Sequence, residues 1–198
     1  MKNLRQITGA LFFGAVLFVA LWAILTAVRN DFSGARSAVE ISETISESAS
    51  SYSKMALLSM KEPDARLAMP VKGIRTKQIA DTWGAARSNG RAHSGQDIFA
   101  KRGTPVFSAT EGYVLRVGES DLGGKVVFVL GAGGRRYYYA HLDDFAPELK
   151  AGDFVTTDTL LGYVGTTGNA KNTPPHLHFG VYGTSGALNP LTLLADRT

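Results

Sequence analysis

Cysteine is absent from all 198 residues. Its absence excludes disulfides and thiolate metal sites, and it is compatible with any redox compartment. Charge of one sign is also scarce. The formal net charge is +4, and from Asp64 onward 15 Lys and Arg stand against 12 Asp and Glu. No basic run carries interleaved aromatics, so the chain lacks a nucleic-acid footprint, although a mild attraction to an anionic polymer remains open. There is no internal repeat and no long low-complexity tract. Histidine is nearly missing too: the four present are His93, His141, His176 and His178, in three short clusters. Imidazole is the usual proton carrier near neutral pH and the commonest metal ligand, so such restriction points to one shared task.

What is present divides the chain by composition. Ile7 to Val28 is a 22-residue run without a charge, rich in Leu, Phe, Ala and Val. As a helix it reaches roughly 33 Å, enough to cross a hydrocarbon layer of about 30 Å. A cleaved signal peptide has a shorter apolar region and a small-residue cleavage site, which this segment lacks. The run therefore reads as an uncleaved single-pass anchor at residues 7–28, after a cytoplasmic tail at 1–6. Lys2 and Arg5 against Arg29 and Arg36 barely decide its orientation. The very short N-terminal tail favours the N-terminus inside and the rest outside.

Residues 29–69 form a connector. Eight serines crowd the stretch from Ser33 to Ser53. Ala38, Ile41, Ile45, Ser48, Tyr52 and Met55 alternate spacings of three and four, which predicts helix. The bland reading is a Ser-rich, loosely helical stalk. The sharper one is a coiled coil joining two copies into a homodimer. Pro63 and Pro70 end the helix in either case.

Residues 70–198 have the size of one domain and hold 19 of the 22 glycines. Strands are predicted at Pro105 to Ala109, Tyr113 to Val117, Lys125 to Leu130, Arg136 to Leu142, Leu160 to Val164 and His176 to Tyr182. Glycine turns such as Gly123-Gly124 and Gly131 to Gly134 separate most of them. The spacing predicts an all-β, antiparallel domain. Asn189-Pro190 reads as an N-cap with proline at the first helical position, hence a short terminal helix.

Three segments carry the chemistry. In Pro174-Pro-His-Leu-His-Phe179, strand alternation puts His176 and His178 on one face and Leu177 and Phe179 on the other. Alone, such a pair is more often surface polarity than a metal site. In His93-Ser-Gly-Gln-Asp97, Gly90 and Gly95 argue against a helix, and a loop running into a strand at Asp97 to Ala100 is predicted. Gly95 is expected to let that loop fold back, so that both side chains meet one ion. In Tyr137-Tyr-Tyr-Ala-His141, alternation predicts Tyr137, Tyr139 and His141 on one face and Tyr138 on the other. Taken together, these segments supply what a catalytic zinc requires, three protein ligands and an open fourth position, with two imidazoles left over.

HxxxD, then Tyr-x-His-Leu, then HLH followed by an aromatic resembles the lysostaphin/LytM-type zinc metallopeptidases. The likeness runs from about Pro70 to Pro190 and includes Arg102 to Val106, Gly112-Tyr-Val114, Gly162 to Gly165, Thr167-Gly168 and Asn189-Pro190. It implies a compact antiparallel β domain with the site in an open groove. It implies one zinc ion per chain held by His93, Asp97 and His178, with His141 and His176 as the catalytic, non-ligand pair. Spacing alone leaves open which member of HLH binds the metal. The resemblance further implies hydrolysis of peptide bonds in peptidoglycan stem peptides or cross-links. An anchor would hold such a domain near the wall, on the periplasmic side of a bacterial inner membrane.

Two features depart from the family pattern. Gly180 stands where relatives often have Glu after HLHF. The stretch Gly84 to Gly90 also lacks the tyrosine that steadies the tetrahedral intermediate in some members, leaving Arg87, Asn89 or Tyr139 as candidates. Some relatives have lost metal ligands and act as wall-binding regulators of other hydrolases, which is the alternative reading. All five site positions are intact here.

Overall fold

The structure, a computed structural model, describes residues 38–87, 90 and 92–197. The predicted anchor at 7–28 lies outside the described residues. Among the described residues no helix is long and apolar enough to cross a membrane. The chain divides into two compact units, Met1–Lys54 and Met55–Thr198.

The connector contains helix α1, Ala38–Ser59. Within it the Ser53 hydroxyl donates back to the Ala49 carbonyl at 2.8 Å, and Ser59 Oγ does the same to Met55 at 2.9 Å. Such back-bonding shares a carbonyl already accepting within the helix, at a slight cost in helix stability. α1 stops four residues before Pro63, whose ring disfavours helix in the residue ahead of it. The Asp64 carbonyl then accepts from Arg135 Nη1 at 2.6 Å, and the Asp64 carboxylate meets the Thr110 hydroxyl.

The second unit is mostly β, and among its described residues nine of eleven strands form one antiparallel sheet. β1 (Leu67–Ala68) pairs in parallel with β11 (Leu194–Ala195), so the first and last strands described in this unit lie side by side. The large sheet contains β2 (Gln96–Phe99), β3 (Pro105–Phe107), β4 (Gly112–Ser120) and β5 (Gly124–Leu130). It continues with β6 (Arg136–Phe145), β7 (Phe154–Val155), β8 (Leu160–Val164), β9 (His176–Gly183) and β10 (Gly186–Leu188). Its main path runs β10-β9-β6-β5-β4-β7, with β2 on β9 and β8 linking β6 to β3. The six strands read from the sequence are all present. The short β1, β7, β10 and β11 carry no alternation long enough to read. The predicted terminal helix is a single 3-10 turn, Pro190–Thr192, capped by Asn189 Oδ1 accepting from Leu191 N at 3.0 Å.

The core lies on one face of the sheet. Ile98, Val127, Tyr137, Tyr139, Leu177 and Phe179 are fully buried there, together with Leu67 and Met69 from the segment before the domain's first predicted strand. The alternation in β9 holds: Leu177 and Phe179 enter this core, while His176 and His178 face the opposite side.

The alternation in β6 does not hold at its histidine. Tyr137 and Tyr139 are buried as a pair, but His141 has a φ of 63°. In register, Val127 faces Tyr139 and Lys125 faces Leu142, so β6 carries one residue more than β5 in this interval. That extra residue makes a bulge. Alternation fails because the bulge, with its left-handed residue, returns His141 to the face occupied by Tyr138. The backbone N–H of His141 donates to the Gly123 carbonyl at 2.8 Å, which pins the bulge to the preceding turn.

Candidate metal centre

Antiparallel pairing of β2 with β9 sets Asp97 directly opposite His178. His93 comes from the loop before β2. His93 Nε2 lies 2.9 Å from His178 Nδ1 and 3.1 Å from Asp97 Oδ1, and His178 Nδ1 lies 3.0 Å from the same oxygen. A tetrahedral ion with bonds of about 2.0–2.1 Å holds its ligands roughly 3.3 Å apart, close to this triangle. Among the described residues these three side chains form the group able to hold a metal ion.

Hydrogen bonding fixes which atoms face inward. His93 Nδ1–H donates to the Thr82 carbonyl at 2.7 Å, which leaves Nε2 as a lone pair directed at the triangle. Only one ring proton, on His178 Nδ1, is then available to separate three electron-rich atoms. A cation satisfies all three at once. Asp97 is itself held in place: its backbone N–H donates to Thr82 Oγ1 at 2.9 Å, and its Oδ2 accepts from Arg87 Nη2 at 2.7 Å. Burial alone would raise the Asp97 carboxyl. Hydrogen bonds from His178 and from the Arg87 guanidinium outweigh it and keep the group well below the usual carboxylate range.

Gly95 works differently from its expected role. Its φ is not positive, so it does not serve as a fold-back hinge. A Cβ there would come within 2.5 Å of His178 Cε1 and Nε2 and 2.9 Å of the Phe179 carbonyl. The residue is bare because the His178 imidazole occupies that space.

His141 and His176 flank the triangle. Their ring centroids are 5.0 Å apart, and His141 lies 5.9 Å from His178. Each donates Nδ1–H to a backbone carbonyl at 2.9 Å, His141 to Thr167 and His176 to Pro174. Both therefore keep Nε2 as an acceptor, and His176 Nε2 lies 3.9 Å from Asp97 Oδ1. Burial, aided by the neighbouring His176, pushes His141 down to about 4, so it is neutral at physiological pH. Burial likewise lowers His178.

An open groove of about 330 Å³ runs over these side chains. Arg87, Leu122, Tyr138, Asn169, Thr173 and Tyr182 line it. Of the three candidates for the missing tyrosine, Tyr139 is excluded. It is fully buried, accepts from the Ala109 N–H at 2.9 Å, and points into the core. Asn89 lies outside the described residues. Arg87 lines the groove but is bound to Asp97. The sequence reading missed the carbonyls of Thr82, Thr167 and Pro174, since any residue type supplies a carbonyl. It also left Tyr138 and Tyr182 without a role, although even-numbered spacing from His178 pointed to Tyr182.

Comparison with known proteins agrees with this geometry. A model of peptidase family M23 matches residues 91–190. The L-Ala–D-Glu endopeptidase of Bacillus subtilis (strain 168) is 39% identical over 121 residues, covering 57% of this chain and 37% of that protein. The chain thus spans little more than a third of that relative's length. Among solved structures, the catalytic domain of the antimicrobial peptidase lysostaphin from Staphylococcus simulans superposes with a TM-score of 0.51 at 30% identity. That match covers 59% of this chain and 92% of the other. A zinc-containing peptidase from Vibrio cholerae gives a TM-score of 0.54 at 27% identity, covering 65% and 39% of the two chains. The chain carrying this His-Asp-His triangle belongs to peptidase family M23.

Proposed function

We propose that this chain is a membrane-anchored zinc metalloendopeptidase that cuts peptide bonds in peptidoglycan stem peptides or cross-links. The observation that carries the reading is the convergence of His93 Nε2, Asp97 Oδ1 and His178 Nδ1 to within 2.9–3.1 Å, with two further imidazoles beside them. In this reading those three atoms are the zinc ligands, one ion per chain. The zinc content of the Vibrio cholerae neighbour and the substrate named for the Bacillus subtilis relative support the choice of metal and polymer. The anchor at 7–28 would keep the domain on the periplasmic face of the inner membrane, within reach of the wall.

Bound zinc supplies a Lewis acid that polarises the scissile carbonyl and can lower the pKa of a water from 15.7 to about 7. Everything else belongs to the chain. Asp97 and the imidazoles of His93 and His178 would hold the ion, and the groove lies over these side chains. His141 and His176, with Nδ1 tied to carbonyls, present Nε2 to the groove. One takes the proton of the attacking water, and the resulting imidazolium stabilises the oxyanion and protonates the departing amine. General acid–base help of this kind contributes about 10²–10⁴-fold. Arg87 keeps Asp97 ionised and turned inward.

The test pairs metal analysis with digestion of purified peptidoglycan. The parent chain should hold one zinc and release fragments that a chelator abolishes. His178→Ala should lose both metal and activity. Stoichiometric zinc in that variant would refute the ligand assignment, and a zinc-loaded parent that releases no fragment would favour the regulator reading. Mass spectrometry of the fragments identifies the bond.

A further inference from the structure

β9 turns His176, His178 and Tyr182 to one face, and Gly180 is the gap among them. Gly180 is buried and sits directly opposite Tyr138 of β6. On its other side Tyr138 stacks on Phe128, with centroids 4.5 Å apart and planes at 29°. The row across three strands is therefore phenylalanine, tyrosine and then nothing. Tyr182 fills that vacancy. A Cβ at position 180 would lie 2.8 Å from Tyr182 Cε2, 3.2 Å from Cζ and 3.0 Å from the phenol oxygen. The Tyr182 side chain thus lies back along its own strand, over Gly180 and toward His178. Tyr182 and Tyr138 both line the groove that contains the triangle and the two flanking histidines.

A phenol on a groove wall is a neutral hydrogen-bond donor and acceptor at physiological pH. It can donate to a peptide carbonyl or carboxylate while its ring covers the peptide plane. We propose that Tyr182 positions the substrate, its hydroxyl binding a carbonyl or carboxylate of a peptide beside the bond to be cut. Gly180 is what lets the ring reach that place. The identity of the peptide rests on the hydrolase reading above, but the binding role does not depend on turnover.

The probe is the disaccharide-tetrapeptide released from peptidoglycan. Its binding is measured by calorimetry on the zinc-loaded full chain carrying His141→Asn, so that nothing is consumed. Turnover is followed on peptidoglycan with the otherwise unaltered chain. Tyr182→Phe should raise both Kd and KM by about 3–10-fold, the size of one net hydrogen bond, with kcat within about twofold and zinc content unchanged. Gly180→Ala should weaken binding similarly, because the added methyl displaces a ring that is free to swing while the phenol stays in the chain. An unchanged Kd in Tyr182→Phe, a loss confined to kcat, or no binding by the His141→Asn chain itself overturns the positioning role. An unchanged Gly180→Ala overturns the part assigned to the glycine. Tyr182-dependent binding without hydrolysis by the parent sustains the role and overturns the hydrolase reading instead.

Discussion

Two side chains of the centre separate chemistry from support. His141 occupies a left-handed backbone position with φ 63°, which asparagine tolerates better than most residues. His141→Asn should therefore keep the fold and the metal while kcat falls by about 10²–10⁴. Metal content and circular dichroism alongside kinetics distinguish this from misfolding. Arg87 touches only the outer oxygen of Asp97, at 2.7 Å. Arg87→Ala should leave the three ligands in place but weaken zinc binding by about 10–100-fold, read by competition with a chromogenic chelator. An unaltered affinity would show that Asp97 needs no such support. At this scale the sequence was informative because histidine is rare, so each imidazole stood out. It put His141 on the wrong face, beside Tyr137 and Tyr139, because alternation presumes an unbroken strand and the bulge at Ala140-His141 breaks it.

The strands that build the site are the ones whose patterns could be read. β9 alternates apolar and polar residues over His176 to Phe179, and its pairing with β2 follows from both strands having a face to bury. Tyr139 misled for the same reason it packs well: a tyrosine in a strand reads as exposed or buried only after register is known. Glycine was legible as punctuation but not as clearance. Gly124, with φ 63°, does serve as a turn residue. Gly95 is instead bare because an imidazole lies against it. Gly95→Ala should cost zinc and activity although it alters no ligand, since the methyl displaces His178 and also meets the Phe179 carbonyl. A crystal structure or metal titration of this variant tests that; full zinc occupancy would contradict the close approach.

For the domain as a whole, acid is the stress that the buried imidazoles define. His141 titrates at about 4 when folded, against an ordinary 6.5. Between those values the unfolded chain binds more protons than the native one, so stability falls as pH falls from 6.5 toward 4 and is flat above. The decline from this residue amounts to about 3 kcal/mol at most, and His178 adds to it in the same direction. Urea unfolding of chelator-treated protein at pH 7.5 and 4.5 should show the loss, and His141→Asn should reduce it. If the parent and the variant respond identically to acid, His141 is not buried as described.

The donor triangle draws on positions 93, 97 and 178, and the last enters only when β9 has paired with β2. No nascent or truncated chain ending before His178 can assemble it. Ion capture is therefore a late event that reports completed folding, and the ion then clasps two segments some eighty residues apart along the chain. A polypeptide that crosses a bilayer unfolded arrives empty. Under the export proposed above, loading would depend on the free metal of the compartment reached, not the one where the chain was made.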